Sequence, residues 1–123
     1  MTQASPLPSS GGGPTPWTGD PPYVAVVFTS VQGSYTEGYD ETAERMETLA
    51  ARQPGYLGID SARDPRSGLG ITVSYWRTEQ DALAWKRVAE HVDAQRRGKE
   101  RWYAHYAVHI ATVTRAYSFD RNQ

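Results

Sequence analysis

The sequence predicts one α+β domain in which four strands and two helices follow one another as β-α-β-β-α-β. Three observations carry this prediction. Apolar residues alternate with period two from Tyr23 onward, apolar residues recur at helical spacing in two later segments, and the segment from Val108 is rich in Val, Ile, Thr and Tyr. A length of 123 residues suits one domain with a single hydrophobic core.

The chain before Tyr23 has a different composition. Residues 1–22 are dominated by Pro, Gly, Ser and Thr, which bury too little apolar surface to offset the entropy of ordering them. We therefore interpret residues 1–22 as a disordered or loosely packed tail, residues 23–119 as the domain, and residues 120–123 as a C-terminal tail. Trp17 is the anomaly, because its indole could dock onto the domain or a partner as well as remain solvated.

The first half of the domain is predicted as a strand followed by a helix. The strand begins at Tyr23, and two sets of residues alternate along it: Val24, Val26 and Phe28 against Ala25, Val27 and Thr29. The helix is predicted from residues at helical spacing: Tyr39, Ala43, Met46, Leu49 and Ala50. Asp40 suits the positive end of the helix dipole. Pro54 and Gly55 end the helix, because Pro disfavours the α conformation before it and Gly permits a left-handed exit.

The second half of the domain is predicted as a hairpin and a second helix. Tyr56–Arg63 and Ile71–Trp76 read as strands joined by a turn through residues 64–68. Residues 78–81 resemble a capping box, in which the Thr hydroxyl accepts a hydrogen bond from an unpaired backbone N–H. The helix that follows has an apolar stripe: Ala82, Trp85, Val88, Ala89 and Val92.

The end of the domain is predicted as a short helical turn over Glu100–Tyr106 and an extended strand over Val108–Phe119. This order is the split βαβ arrangement of the ferredoxin-like fold, in which an antiparallel sheet carries both helices on one face. Strands such as Ile71–Trp76 are apolar or aromatic on both sides, so the other face must also be covered. We predict a homodimer in which a second copy of the sheet covers it.

Composition argues against several classes of function. Thirteen Lys plus Arg against fourteen Asp plus Glu give a net charge of −1, so no global field attracts nucleic acid or anionic lipid. No apolar run approaches the roughly 18 residues that span a membrane, and no secretory signal pattern is found. The absence of cysteine removes disulfides, thiolate nucleophiles and Cys-ligated metals. We expect a soluble, cytoplasmic protein without a metal site, a nucleic-acid partner or a membrane contact.

Five sequence blocks, in this order, resemble a subgroup of antibiotic-biosynthesis-monooxygenase (ABM) domain proteins: PPYVAVVFTS, QPGYLGIDSARD, GITVSYW, AWKRVAEH and RWYAHY. The resemblance covers about Pro21 to Phe119. It implies a dimeric α+β barrel, in which two sheets pack together and each protomer keeps a pocket between its sheet and its helices. It also implies two candidate activities. Some relatives oxidise aromatic phenols to quinones with O2 and no metal or organic cofactor, and others bind haem and break its ring.

The haem-degrading activity fits this sequence less well. Trp85 matches the Trp of haem-degrading relatives in its spacing from the third strand. The resemblance places their axial His at Gln95, with His91 one turn earlier, and their first-strand Asn has no match among Thr29 and Ser30. We therefore expect neither a haem complex nor another bound cofactor.

The candidate catalytic residues are those that can favour the ionised form of a phenol. His91 is the candidate acid or base because imidazole changes charge near neutrality, and capping the helix C-terminus is its structural alternative. Arg63, Arg77 and Arg115 lie on or beside predicted strands, where a guanidinium can hold a phenolate or carboxylate. Of these, Arg77 and Arg115 are the preferred candidates, although such arginines are more often solvated or ion-paired.

Four Trp and eight Tyr are more than a small core needs, so some should line a cavity or an interface. We assign substrate binding to Tyr75, Trp76, Trp85 and Trp102. Core packing explains Trp76 and Trp85 equally well. Trp102 and Tyr106 are predicted to share a helical face, at a pocket wall or an interface.

These observations favour a cofactor-independent monooxygenase, a homodimer that acts on a small aromatic or polyketide-like molecule with O2. The main alternative is a non-catalytic dimer that binds a small ligand or is associated with stress, because a fold does not determine a function. Haem degradation is the third hypothesis. The sequence contains no histidine pair with metal spacing, no phosphate-binding loop and no nucleophile elbow.

Overall fold

The computed structural model describes residues 15–96 and 102–121. Within them the elements follow the predicted order β-α-β-β-α-β: β1 Tyr23–Gln32, α1 Tyr39–Ala51, β2 Tyr56–Arg63, β3 Leu69–Trp76, α2 Glu79–Arg96 and β4 Tyr103–Val113. Thr78 Oγ1 accepts a hydrogen bond from the Asp81 N–H at 3.1 Å, as the predicted cap of α2 requires. Neither helix in this part of the chain is long and apolar enough to cross a membrane.

The strands form one antiparallel sheet in the order β2-β3-β1-β4, which confirms the ferredoxin-like α+β fold. The predicted hairpin is present, because β2 pairs with β3. β1 is an inner strand: its Val26 lies opposite Ser74 of β3 and Ile110 of β4. Successive side chains of a strand point to opposite faces, so these three residues lie on the same face of the sheet.

The hydrophobic core lies between this face and both helices. Its fully buried side chains include Trp76, which stacks on Trp85 of α2 with ring centroids 5.8 Å apart. The Trp76 indole Nε1 donates a hydrogen bond to Ser74 Oγ at 2.9 Å, which satisfies its polar group inside the core. Ala50 and Ala82 are also fully buried, and their small side chains let α1 and α2 approach the sheet closely.

The opposite face of the sheet, here called the open face, exposes apolar side chains. Leu69 and Ile71 of β3 are 44% and 46% exposed, although both lie in a strand that is paired on both sides. Neither helix packs on this face, since the core contacts of both helices are with the other face. The single chain therefore leaves apolar sheet surface uncovered.

The segment before β1 covers part of the open face. The Trp17 ring stacks on Tyr75 with centroids 4.3 Å apart and meets Tyr23 edge-on at 4.9 Å. Its backbone N–H donates to both carboxylate oxygens of Asp60, at 3.1 and 3.2 Å. Gly58 makes room for the indole, because a Cβ there would overlap it. Of the alternatives for Trp17, the structure thus shows docking onto the domain; residues 1–14 of the predicted tail lie outside the described residues.

The last strand begins earlier than the sequence predicts. Residues 103–106 belong to β4 and not to a helical turn, because they pair with the end of β1, where Tyr106 lies opposite Ser30. This pairing gives residues 103–106 backbone hydrogen bonds to β1, which is distant in sequence. The remaining residues of the predicted turn that precede Trp102 lie outside the described part of the chain.

The last strand also ends earlier than predicted, at Val113 and not at Phe119. Val113 pairs with Tyr23, the first residue of β1, so the ladder has no partner beyond this point. Tyr117 and Phe119 consequently lie outside the sheet and are 99% and 85% exposed. Their β propensity alone does not make a strand.

Replacing Trp17 by alanine should destabilise the domain by roughly 1–2 kcal/mol, since aromatic pairs contribute about 0.5–1.5 kcal/mol beyond area burial. Urea unfolding at one protein concentration measures the effect. Tyr117→Ala is the control, because this side chain is 99% exposed and its loss should leave the midpoint unchanged. Equal midpoints for Trp17→Ala and wild type would show that the docked indole adds nothing to stability.

Candidate functional site

A cavity of about 200 Å³ lies between the helix-bearing face of the sheet and the two helices. Every strand contributes to it: Val26 and Phe28 of β1, Ile59 of β2, Ser74 of β3 and Val108 of β4. These positions share a face because the strands pair in register, with Val26 opposite Ser74 and Phe28 opposite Val108. The sheet therefore supplies a largely apolar floor.

Helix α1 presents one continuous stripe to the cavity. The stripe residues recur at the i, i+3, i+4, i+7 and i+8 positions of one helix face: Tyr39, Thr42, Ala43, Met46 and Glu47. At about 1.5 Å per residue, the stripe runs roughly 12 Å along the helix axis. Tyr39 and Glu47 consequently lie towards opposite ends of the cavity.

Aromatic rings crowd the Tyr39 end of the cavity. Phe28 stacks on Tyr106 at 5.5 Å and meets Tyr103 edge-on at 5.4 Å. Tyr39 meets the Trp102 ring edge-on at 5.7 Å. The Trp102 Nε1 donates to the backbone oxygen of Glu37 at 2.9 Å, which fixes the orientation of its ring. Walls of this kind favour a flat aromatic ligand, because offset and edge-on ring contacts add to area burial.

Three charged side chains line the cavity from the helices: Glu47 of α1 with Lys86 and Glu90 of α2. Lys86 and Glu90 form an exposed ion pair at 3.0 Å. Glu47 has no ion-pair partner among the residues described. Burial, reinforced by the charge of Glu44, raises the pKa of Glu47. A carboxylate with a raised pKa is better matched to proton transfer near neutral pH.

Arg63 of β2 lies beside Tyr39. Its Nη2 donates to the Ser30 Oγ at 2.8 Å and to the Tyr39 hydroxyl oxygen at 2.9 Å, and its Nη1 donates to the carbonyl oxygen of Gly68. Gly70 leaves space for the guanidinium, since a Cβ there would lie 2.6 Å from the Arg63 Cζ. Arg63 itself lies outside the cavity lining, so its charge is linked to the cavity through the Tyr39 hydroxyl.

Comparison with known proteins assigns the chain to a family. Residues 22–97 match the family described as Antibiotic biosynthesis monooxygenase, over more than half of the chain. The chain belongs to the ABM family. It is 48% identical over 105 residues to YqjZ, an uncharacterised protein of Bacillus subtilis, and the match covers 85% of this chain and 91% of YqjZ.

Two solved structures illustrate the fold of this ABM protein. SnoaB, a cofactor-independent oxygenase from Streptomyces nogalater, is 14% identical with a TM-score of 0.61, over 78% of this chain and 97% of SnoaB. Rv0793 from Mycobacterium tuberculosis is 13% identical with a TM-score of 0.64, over 78% of this chain and 99% of Rv0793. Likeness at such identities establishes the fold alone.

Two of the four aromatic residues predicted to bind substrate line the cavity of this ABM protein, namely Trp85 and Trp102. Trp76 lies behind Trp85 in the core. Tyr75 lies on the open face, where it stacks on Trp17. Adjacent residues of one strand point to opposite faces, so Tyr75 and Trp76 could not both face the cavity. Burial, together with the nearby Asp60 carboxylate, raises the pKa of Tyr75 to about 12.

The three residues predicted to be catalytic are exposed and lie outside the cavity lining. His91 follows Glu90, which lines the cavity, but one residue of helix turns its side chain by about 100°. Arg77 directly follows β3, and Arg115 lies two residues beyond the end of β4. The structure does not bring these three together, and their catalytic role stays a prediction. The side chain of Gln95, at the position where the resemblance places an axial His, is not among those that the structure describes.

Sequence reasoning misses Glu47, the cavity carboxylate that has no ion-pair partner among the residues described. The signal that could have found it is spacing, because Glu47 lies one position after Met46 and four after Ala43, on the apolar stripe of α1. A charged residue at such a position is easily taken as the solvated edge of the stripe. The contact of Arg63 with Ser30 and Tyr39 joins residues 33 and 24 positions apart and leaves no local signal.

Proposed function

We propose that this ABM protein is a monooxygenase that oxidises a small, flat aromatic molecule with O2, without a metal or organic cofactor. The observation that carries the proposal is the cavity, in which aromatic walls at one end face a half-buried carboxylate at the other. Membership of the ABM family supports it. SnoaB, which shares the fold, is a cofactor-independent oxygenase.

The proposed reaction begins with proton removal from a phenol. The phenolate is electron-rich and passes electrons to O2. One O2 per phenol then gives one quinone and one water, since one oxygen atom becomes the new carbonyl and the other leaves as water. The substrate supplies all the electrons, so the balance needs no further reductant, and O2 uptake reports the reaction directly.

Glu47 is the proposed proton acceptor. Its carboxylate lines the cavity, and burial raises its pKa, which brings it closer to the pH at which a general base works best. Trp85 and Trp102 are the proposed aromatic walls. The sequence-based proposal of His91, with Arg77 or Arg115, competes with Glu47; these three side chains would have to act from outside the lining.

The cavity volume sets the proposed size class of the substrate. About 200 Å³ is below the roughly 300–1,000 Å³ of typical ligand pockets, so the cavity suits one or two rings, as in a catechol or a naphthol. A porphyrin is much larger, and no histidine among the described residues lines the cavity. The geometry therefore favours phenol oxidation over haem degradation.

We also propose that two copies form a homodimer through their open faces. The support is the exposed apolar surface around Leu69 and Ile71, which a second sheet would cover. The docked Trp17 covers the region of Tyr23 and Tyr75 on this face, so the proposed contact with the partner centres on Leu69 and Ile71.

Filling the cavity tests the function. Ala89→Phe places a ring in the lining and should lower O2 uptake on catechols and naphthols at least about tenfold, since a misplacement of about 1 Å can cost roughly 10²-fold in rate. An oxygen electrode gives the rate, and a thermal melt shows that each variant is folded. Ala84→Phe is the matched control, because it makes the same change at an exposed position of α2.

The same experiment separates an enzyme from a binding protein. If the wild type quenches tryptophan fluorescence with these ligands but takes up no O2 across the panel, the monooxygenase function is wrong. The non-catalytic small-ligand-binding dimer then becomes the preferred function. Full activity in a folded Ala89→Phe would instead move the reaction away from this cavity.

A further inference from the structure

We propose that the Tyr39 hydroxyl, polarised by Arg63 behind it, forms an oxyanion-binding subsite at the end of the cavity away from Glu47. It would select aromatic substrates that carry a second oxygen on the ring edge opposite the hydroxyl that ionises. The proposal deepens the proposed function and rests on it, because the ligand is a substrate only if the protein is an enzyme. Binding of an anionic aromatic to the subsite does not depend on turnover.

The Arg63 guanidinium is held in one orientation by three parts of the fold. It donates to Ser30 Oγ of β1, to the Tyr39 hydroxyl of α1 and to the Gly68 carbonyl oxygen before β3. Ser30 is only 1% exposed, so this anchor lies inside the protein. Gly70 has no side chain, so the guanidinium can lie close to the backbone of β3. A fixed donor loses little entropy when an anion binds to it.

The charge of Arg63 is not neutralised by a carboxylate in the described part of the chain. Asp64, its neighbour in sequence, accepts hydrogen bonds from the Ser67 hydroxyl at 2.7 Å and from the backbone N–H groups of Arg66 and Ser67. The Asp64 carboxylate therefore stabilises the turn before β3. A half-buried cation without a paired acid raises the positive potential at its neighbours, because partial burial weakens the screening of its charge.

Tyr39 connects this charge to the cavity. Its hydroxyl oxygen accepts from Arg63, and no described residue accepts the hydroxyl proton. A phenolic hydroxyl can accept one hydrogen bond while it donates another. The guanidinium polarises the hydroxyl, which strengthens its donation to an oxyanion. The Arg63 Cζ also lies 5.4 Å from the centroid of the Tyr39 ring, which keeps the two groups together.

The positions of the two polar groups suggest the class of ligand. Tyr39 and Glu47 both line the cavity and lie eight residues apart on α1, towards opposite ends of the stripe. A ligand that contacts both groups would carry oxygens on opposite edges of its ring system. When Glu47 takes the proton at one edge, conjugation carries negative charge to the other edge, where the Tyr39 hydroxyl stabilises it.

The probe for the subsite is 4-nitrophenol, bound without O2. Its ionised and neutral forms have different absorption spectra, and its oxygens lie on opposite edges of the ring. Wild type should bind the ionised form more tightly than the neutral form, so the pKa of the bound probe should be lower than in solution. Tyr39→Phe should weaken binding of the ionised form roughly 10- to 100-fold, the usual effect of losing a hydrogen bond to a charged group.

The control and the second variant separate binding from folding. Tyr56→Phe removes the hydroxyl of another half-buried tyrosine outside the cavity lining and should leave the probe affinity unchanged. Arg63→Gln should abolish the preference for the ionised probe while a near-UV spectrum shows that the domain is folded. If Arg63→Gln does not fold, Tyr39→Phe decides, because it keeps the aromatic ring.

The proposal is overturned if Tyr39→Phe binds the ionised probe as tightly as wild type, or if a folded Arg63→Gln keeps the preference for it. It stands if the preference depends on both residues. These outcomes are independent of the monooxygenase proposal. If the protein binds the probe as expected but takes up no O2, the subsite proposal stands and the monooxygenase proposal is wrong.

Discussion

Replacing Glu47 by glutamine should lower kcat for oxidation of a phenol by roughly 10²–10⁴-fold, the usual contribution of a general acid or base. Glutamine keeps the size of the side chain and cannot accept the proton. In the wild type, kcat should fall as the pH drops through the pKa of Glu47, with a midpoint above the ordinary value of 4.5, because burial raises this pKa. Rates from an oxygen electrode across the acidic range measure both effects.

The loss of activity should not come from unfolding. A carboxyl group whose pKa is raised by folding binds its proton more tightly in the native state, so its contribution to stability is present below pH 4.5 and is lost as the pH rises through the raised value. Glu47→Gln should therefore be at least as stable as the wild type at pH 7. Thermal melts at pH 4 and pH 7 check the sign.

Two further variants identify the base. Glu41→Gln makes the same change at an exposed position of α1 outside the cavity lining and should keep full activity. The sequence-based hypothesis predicts that His91→Ala loses at least about tenfold in O2 uptake, because general acid–base groups contribute about 10²–10⁴-fold. An active Glu47→Gln beside an inactive, folded His91→Ala would transfer the role of base to His91.

Ile71→Asp should convert the proposed homodimer into a monomer. Ile71 is 46% exposed in the single chain, and an aspartate between two sheets would be a buried charge without a partner. Breaking or creating an uncompensated buried charge costs about 3–5 kcal/mol. Sedimentation equilibrium at micromolar concentration measures the mass.

Leu83→Asp is the matched control for this interface. Leu83 lies on α2, away from the open face, and is 37% exposed, so the substitution adds the same charge outside the proposed interface. It should remain dimeric. A monomeric wild type at micromolar concentration, with no loss of stability on dilution, would show that the open face does not bind a second copy.

The sequence predicts the order of the elements because their signals are local. The period-two pattern from Tyr23 and the helical stripes around Met46 and Trp85 each depend on residues a few positions apart. The ends of β4 have no local signal, because they are set by the length of β1, which pairs with β4 from Tyr23 to Gln32. Pairing across the chain therefore overrides the propensity of Phe119.

The site is less predictable than the fold for the same reason. The stripe of α2 predicts that Trp85 faces inward, and the structure places it in the cavity lining. The chemistry of imidazole predicts a base at His91, but the turn of the helix directs this side chain away from the lining. Arg63 meets Ser30 only after β1 and β2 are brought together by β3, so no spacing along the chain reveals the contact.

The stacked pair of Trp76 and Trp85 gives the protein an intrinsic optical probe. Their rings are 5.8 Å apart and inclined by 22°, close enough for their electronic transitions to couple. Trp76 is sealed in the core, whereas Trp85 also borders the cavity. A molecule that enters the cavity touches one member of the pair and leaves the other in place. Circular dichroism of this couplet can therefore follow occupancy of the cavity without a label and without turnover.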